Sequence, residues 1–477
     1  AETDEVLLDK YLEEGDLDVK EITTALSAGL TQGGTFPVLG GSATSTIGID
    51  LLLDFVVDAG PSPLYRGSVT ARKSKEGDEV EIQLEPDGKP LAQVFKTIAD
   101  PFVGKLSLFR VWSGTIKPDS TLSNATQGHD ERLHQIFAMR GKEHLEVESV
   151  PAGDIAAVAK LGNTHTGDSF CEKGQTLILD PIEVPTPVLA VAITPKTKGD
   201  EDKLGQALQR LAEEDQTIRV TRNADTHQTL LCGLGEAHLG IVIERLKRKF
   251  GVEVDTAHPE VGYRETIRKP ADAEGKHKKQ SGGHGQFGVA HIKIEPLERD
   301  AGFEFVDAVV GGAIPRQFIP AVEKGVREAL ERGGYAGFPI VDVRVTVDDG
   351  KAHSVDSNEL SFKMAGSLAV QSALPNADVA LLEPIVDAEI IVPDDKVGDI
   401  QGDLNSKRGR IVGTDPLGDG ETAITARVPE AEMIRYAIDL RSITGGQGRF
   451  TTRFSHYEEV PAHMAEKIKA AVTKGED

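Results

Sequence analysis

Two short segments hold the residues best suited to chemistry. In the first, His277-Lys278-Lys279-Gln280-Ser281-Gly282-Gly283-His284-Gly285-Gln286-Phe287-Gly288, cations and amides sit in a run too rich in glycine for regular structure. Glycine tolerates positive φ and lets the backbone approach another surface closely. The lysines can neutralise phosphates. Loop amides, Gln280 and Gln286 can bond to base edges or 2′-hydroxyls. The second segment is His353-Ser354-Val355-Asp356-Ser357-Asn358-Glu359. We read the two as a pair forming a tip that enters a folded RNA, in place of a pocket that turns over a substrate.

Rival chemistries use the same residues. His277, His284 and His291 recur every seven positions, a spacing that could suggest a metal site. Zinc needs converging ligands, three or four of them, and a glycine-rich loop fixes no convergence. His353 with Asp356 could be a general base and its orienting carboxylate. No nucleophile motif accompanies them, and a loop histidine capped by a nearby acid is the plainer alternative. Each Gly-Lys pair (Gly104-Lys105, Gly141-Lys142, Gly275-Lys276, Gly350-Lys351) lacks the following Ser or Thr of a P-loop. Nucleotide hydrolysis by this chain alone is therefore not expected.

Composition narrows the classes. The 477 residues suffice for several domains. No apolar run approaches the roughly 18 residues that span a membrane. The acidic stretch from Ala1 to Glu21 is not a secretory or transit signal. The chain opens without Met inside an acidic amphipathic segment, as expected of a protein missing its amino-terminal part. Cys171 and Cys232 form no framework and fit a reducing cytosol. The net charge of −24 argues against wrapping nucleic acid with the whole surface. Local charge differs. Arg264 to Lys293 holds seven Lys or Arg against three acids, and 405–410 and 441–453 hold three cations each with no acid. Solvated faces of an acidic protein are the bland reading. Three such clusters in the carboxyl-terminal half favour a polyanionic partner.

These segments need elements to position them. Residues 1–60 read as two helices around a short buried strand at Thr35–Leu39, with a turn at Gly40-Gly41-Ser42-Ala43. Gly60-Pro61-Ser62-Pro63 is a stop and linker. Residues 61–187 look all-β, with short strands and turn signals that argue for a barrel or sandwich. Residues 188–262 and 381–477 share the order βαββαβ, the ferredoxin-like split motif. A different α/β unit, 263–380, lies between them and carries both tip segments.

The chain resembles elongation factor G, a family of translational GTPases. The resemblance rests on Gly41-Ser42-Ala43, Pro101-Phe102-Val103-Gly104-Lys105, Arg110-Val111-Trp112-Ser113-Gly114, Ala207 to Asp215, Gln280 to Gly288, His353 to Phe362, Gly402 to Gly409 and Asp439-Leu440-Arg441-Ser442. It implies a multidomain α+β protein with a β-barrel, two ferredoxin-like domains and a ribosomal-protein-S5-like α/β domain. It also implies that residues 1–60 are the carboxyl-terminal end of a GTPase domain. Ser42 and Ala43 would approach the guanine base of GTP or GDP, held with Mg²⁺ in the full-length protein; this chain alone is expected to bind no cofactor. Lys278, Lys279, Gln280, Ser281, Gly282, Gly283, His284, Gly285 and Gln286, with His353, Ser354, Val355 and Asp356, would meet tRNA and mRNA at the decoding centre. Lys407, Arg408 and Arg441 would face the stalk base and the sarcin–ricin loop of the bacterial ribosome. The implied role is translocation by a cytoplasmic monomer, with ribosome splitting, recycling or non-catalytic protection as alternatives. Four positions depart from the family pattern. His284 stands where Arg is usual, Phe287 where Tyr is, and Ala237 and Gly240 where Leu and Glu are. These departures suit a divergent copy.

Overall fold

The computed structural model describes residues 5–100, 104–279 and 285–475. Gln280, Ser281, Gly282, Gly283 and His284 lie outside the described residues, as does 101–103. The chain divides into two units, Ala1–Val184 with Gln209–Gln216, and Pro185–Leu208 with Thr217–Asp477. Among the described residues no helix is long and apolar enough to cross a membrane.

The first unit opens with three helices, Glu5–Glu14, Val19–Thr31 and Ile49–Ala59, where the sequence predicts two. Gly15, at φ +75°, ends the first helix. Asp18 and Glu21 then form a capping box that starts the second. The predicted strand at Thr35–Leu39 is not a strand, and its apolar side chains are not buried. Phe36 is 81% and Val38 97% exposed. A strand needs a partner edge for its backbone groups, and among the described residues the pairing beside it is only the isolated bridge between Ser42 and Ile47. The helix Ile49–Ala59 is apolar along its length, yet Leu51, Leu53, Val56 and Val57 are all more than half exposed.

The β-rich part forms an eight-stranded antiparallel sheet. Its order runs from His129–Leu133 through Ser120–Asn124, Ser169–Glu172, Leu91–Asp100, Gly104–Ser113, Ile155–Ala159 and Ile136–Arg140 to Glu143–Glu146. One face buries Val94, Phe109, Val111, Leu133, Val158 and Phe170. A three-stranded sheet of Ile178–Leu179, Ser68–Arg72 and Glu79–Gln83 shares a second core with Leu91, Trp112 and Cys171. Among the described residues the pairings do not close the larger sheet into a ring.

In the second unit both predicted βαββαβ segments have the ferredoxin-like strand order. Strands Leu189–Pro195, Arg219–Arg222, Thr229–Gly233 and Val254–Ala257 arrange as 2-3-1-4, all antiparallel. Helix Glu201–Glu214 buries Leu204, Ala207, Leu208 and Leu211, and helix Glu236–Phe250 buries Leu239, Val242 and Leu246. Both sets follow the i, i+3, i+4 spacing of an amphipathic helix face. The second segment repeats the order around the 15-residue strand Val379–Pro393. Arg449–Glu459 and Glu421–Pro429 flank that strand, and Arg410–Gly418 lies outside Glu421–Pro429. The second helical stretch of this segment is two short helices, Glu430–Met433 and Tyr436–Thr444, where the βαββαβ order predicts one.

Between these segments lies a four-stranded sheet in the order Ala271–Lys279, Gln286–Pro296, Val343–Lys351, Phe303–Asp307. Helices Ile319–Glu331 and Glu359–Ala373 bury Val322, Val326, Phe362, Ala365 and Ala369 in the same core as Ile292, Val345 and Val347. Glycines set the spacing of these layers. A Cβ on Gly275 would overlap the Ala365 carbonyl oxygen, and one on Gly325 the Lys363 carbonyl oxygen.

The short strand Arg264–Ile267 pairs with Val379–Pro393 in the five-stranded sheet. Its Glu265 is fully buried. The Glu265 carboxylate accepts the backbone N–H groups of Gly334 and Tyr335 at 2.8 Å, Ala336 at 2.6 Å and Phe338 at 3.2 Å. A buried carboxylate is costly unless it is hydrogen-bonded, and these donors satisfy it.

Candidate nucleic-acid interface

The two tip segments meet. Lys278 and Lys279 end the strand Ala271–Lys279, opposite Phe287 and Gln286. Across the gap in sequence, Phe287 donates its N–H to the Asp356 carbonyl at 2.8 Å, and Ser357 Oγ donates to the Phe287 carbonyl at 2.8 Å. Gly285 N–H donates to Asp356 Oδ1 at 3.0 Å. Phe287 and His353 rings lie edge-on, 6.2 Å apart. Asn358 caps the helix Glu359–Ala373, its Oδ1 accepting from Ser361 N–H at 2.9 Å. That cap fixes where the second segment leaves the helix. Asn is among the residues most favoured at a helix N-cap.

His353 is held from its own loop. Its N–H donates to Ser357 Oγ at 2.8 Å. Its Nδ1 accepts the N–H groups of Val355 at 3.3 Å and Asp356 at 3.2 Å. Asp356 Oδ2 also lies 3.3 Å from Nδ1. A general base oriented by a carboxylate needs a proton on that nitrogen, pointing at the acid. With two backbone donors aimed at it, Nδ1 serves as an acceptor. The geometry therefore supports a structured tip, with no Asp–His dyad. The side chains of Ser354, Val355 and Asp356 accompany it in the same exposed loop, where Val355 is 62% exposed.

His277 and His291 do not converge, and His284 lies outside the described residues. His277 pairs across the hairpin with Gly288, and His291 lies three residues further along, on the opposite face. His277 Nε2 is 2.9 Å from Gln286 Oε1. His291 Nδ1 is 2.6 Å from Asp348 Oδ1, with Asp272 3.5 Å from Nε2. The Asp348 hydrogen bond holds His291 above its ordinary value of 6.5, outweighing the opposing effect of burial. A raised folded value means that protonation favours the fold. This contribution is fully present below the unfolded value and fades as pH rises through the folded one. His291→Gln is expected to remove that dependence. The stability gap between parent and variant, from urea midpoints, should shrink steadily between about pH 6 and pH 8. A constant gap would mean that folding leaves the proton affinity of His291 unchanged.

The basic clusters are less free than their local composition implies. Lys278 and Lys279 are exposed and form no ion pair with another described residue. Arg264, Arg268 and Lys269 instead meet Asp225, Glu459 and Asp378 at 3.2, 2.8 and 3.4 Å. Lys407 Nζ lies 3.0 Å from Asp439 and 3.3 Å from Asp403, with only 17% of its side chain exposed. Arg408 binds Glu383 through both terminal nitrogens, at 2.5 and 3.0 Å, and reaches Glu432 at 3.3 Å. Arg441 is exposed and donates to the Leu234 carbonyl at 2.6 Å. It borders a cavity of about 310 Å³ with Leu234, Ala437, Leu440 and Phe450. Lys407, Arg408 and Arg441 thus sit on the five-stranded sheet and its helices, apart from the tip segments.

Ser42 and Ala43 lie in the turn closed by the Ser42–Ile47 bridge. Ser42 Oγ accepts Ser45 N–H at 3.3 Å, and Ala43 is exposed.

Four family models match successive stretches. They are elongation factor G domain 2 at 89–173, domain III at 184–258, domain IV at 259–378 and the elongation factor G C-terminus at 380–468. A crystal structure of a protein from Thermus thermophilus is similar throughout. It is 37% identical with a TM-score of 0.67, and the match covers 99% of this chain and 68% of that one. The chain belongs to the elongation factor G family. As an elongation factor G relative it is a ribosome-binding, translation-factor-like region. Both tip segments fall within the domain IV match, and Lys407, Arg408 and Arg441 within the C-terminal match.

Proposed function

We propose that this chain is the ribosome-engaging part of a translational GTPase that promotes tRNA–mRNA translocation. The observation that carries the proposal is the paired tip. Two loops far apart in sequence are bonded into one exposed, cation-bearing end on a tightly layered α/β sheet. Such an end suits insertion into a folded RNA, where lysines meet phosphates and amides meet bases. In this reading the tip enters the decoding centre beside tRNA and mRNA. The Lys407, Arg408 and Arg441 end approaches the stalk base and the sarcin–ricin loop. The factor acts as a cytoplasmic monomer. Its role is mechanical: the nucleotide-dependent state of the full-length protein biases which ribosomal state the tip stabilises.

Guanine nucleotide and Mg²⁺ belong to that full-length protein. Ser42 and Ala43 alone make no triphosphate cradle, since the Ser42 hydroxyl is held by its own turn and every Gly-Lys pair lacks the Mg²⁺-binding Ser or Thr.

The test uses the full-length factor with His353→Ala. Translocation should slow while ribosome-stimulated GTP hydrolysis is retained. Ribosome binding should also weaken with salt, by about 0.7–0.9 in the log–log slope per phosphate contact. Lys278→Ala with Lys279→Ala should flatten that slope. Normal translocation by His353→Ala, together with salt-insensitive binding, would sink the tip reading. Subunit splitting without translocation would move the assignment to recycling. Full activity without any GTP hydrolysis would move it to ribosome protection.

A further inference from the structure

We propose that the outer face of the eight-stranded sheet carries an oxyanion pocket, built on Arg110, Trp112 and Arg66, that takes a phosphoryl group. Gln93, Arg110 and Ile155 stand side by side on three neighbouring strands, because Arg110 is in register with both of the others. Val94, Phe109 and Val111 alternate with them into the core. A bulge between Val94 and Lys96 re-aims Phe95. With Trp112 these residues line a cavity of about 270 Å³.

The charge of Arg110 in this cavity, and that of Arg66 on the Trp112 ring beside it, lack a counterpart. The Arg110 guanidinium lies over the Trp112 indole, Cζ 4.1 Å from the ring centroid, and Arg66 lies over the same indole at 5.2 Å. Neither forms an ion pair with a described residue, although the chain has 77 acids for 53 Lys and Arg. Arg110 Nε and Trp112 Nε1 are both buried without a hydrogen-bond partner. Buried N–H groups are nearly always paired, and two such donors beside one cavity form a donor set awaiting an acceptor. Burial, and then the like charge of Arg66, press the Arg110 guanidinium below its ordinary value. An anion in the cavity would relieve both. Gln93 does not compete, because its Nε2 is fixed on the Asp180 carbonyl at 2.8 Å.

The chemistry selects phosphoryl over a simple halide. A guanidinium stacked on a flat ring keeps its N–H edge free and rigid, and that planar fork matches a tetrahedral oxyanion through two oxygens. Phe95 and Ile155 supply apolar walls for whatever carries the phosphoryl group. Free phosphate, a nucleotide and an RNA phosphodiester all present this chemistry.

Trp112 is the one tryptophan of the 477 residues, so tryptophan emission, excited selectively over the tyrosines, reports on this cavity alone. The full chain is titrated with inorganic phosphate, with GMP and with a short single-stranded RNA, against sodium chloride at matched ionic strength. A saturable emission change with phosphate and none with chloride is expected. Arg110→Ala should weaken it by about tenfold or more, since a charge-assisted bond is lost. Arg66→Ala, on an exposed turn, should weaken it severalfold and retain the far-UV spectrum. If saturation needs only free phosphate or GMP, a small ligand is the source. If RNA saturates far below phosphate, the source is a phosphodiester. The proposal is overturned if no anion gives a saturable change, if chloride matches phosphate, or if folded Arg66→Ala and Arg110→Ala bind as the parent does.

Discussion

Gly325→Ala is expected to cost about 3 kcal/mol or more of stability, although it adds only one methyl group. The new Cβ would fall inside the radius of the Lys363 carbonyl oxygen, with the Lys363 carbonyl carbon 2.8 Å away. Those atoms are backbone of the helix Glu359–Ala373, so no side chain can swing aside. The helix Ile319–Glu331 must move off its neighbour, opening the core around Val322 and Phe362. Gly240→Ala is the matched control. It sits exposed within the helix Glu236–Phe250, and a Cβ there meets nothing within 4 Å. Relief of the glycine's helical cost should stabilise that protein by about 0.5–1 kcal/mol. Urea unfolding of both variants decides the matter. Equal midpoints would mean that the helix pair yields freely, against the interlocked layers described above.

The second large effect is expected at Arg408. Arg408→Ala would strand Glu383, whose side chain is only 5% exposed, without its bidentate partner. Removing one member of a buried pair costs about 3–5 kcal/mol, because the remaining charge is left in a poor solvent. Glu432 loses its contact too, but it is more exposed and counts for less. The double variant Arg408→Met with Glu383→Leu should recover most of the loss, since the pair is then absent and the volume filled. Chemical denaturation of the single and double variants provides the measurement. A double variant no better than Arg408→Ala would show that the site requires charge, and that the loss is not one of desolvation. Lost ribosome binding in Arg408 variants must accordingly be read beside their stability.

That pair also marks where the sequence stops being legible. The run Asn405 to Arg410 has no acid, and so it reads as a free cationic patch. Lys407 pairs with Asp403, just outside the run, but the acids of Arg408 arrive from Glu383 and Glu432, 25 and 24 residues away, brought close only by the sheet and its helices. Local charge counting sees neighbours in sequence, whereas ion pairing is set by neighbours in space. Helical periodicity fared better, because it is local. The buried faces of Glu201–Glu214 and Glu236–Phe250 follow directly from the spacing of their leucines. The ferredoxin-like order was legible from the repeated βαββαβ pattern for the same reason. The pairing of the two tip segments was legible, but the means were not. Asp356 and Ser357 do the joining through backbone groups of Gly285 and Phe287, which carry no side-chain signature. Phe36 and Val38 misled because an apolar run signals burial only when a partner surface is present. Nothing local in the sequence marks the Arg110–Trp112 pair as a site. Its two residues alternate with core positions, and a one-dimensional reading does not reveal what lies across neighbouring strands.

Glu265 bears on how the molecule can bend. Its strand belongs to the five-stranded sheet, while the loop whose amides it gathers leads into the strand Val343–Lys351 of the tip sheet. A pivot at this loop would have to release four bonds to one carboxylate together, and leave that carboxylate unsolvated at the moment of turning. The joint therefore behaves as a weld. A force applied at the His353 end is carried into the five-stranded sheet as torque, and is not absorbed where the two sheets meet.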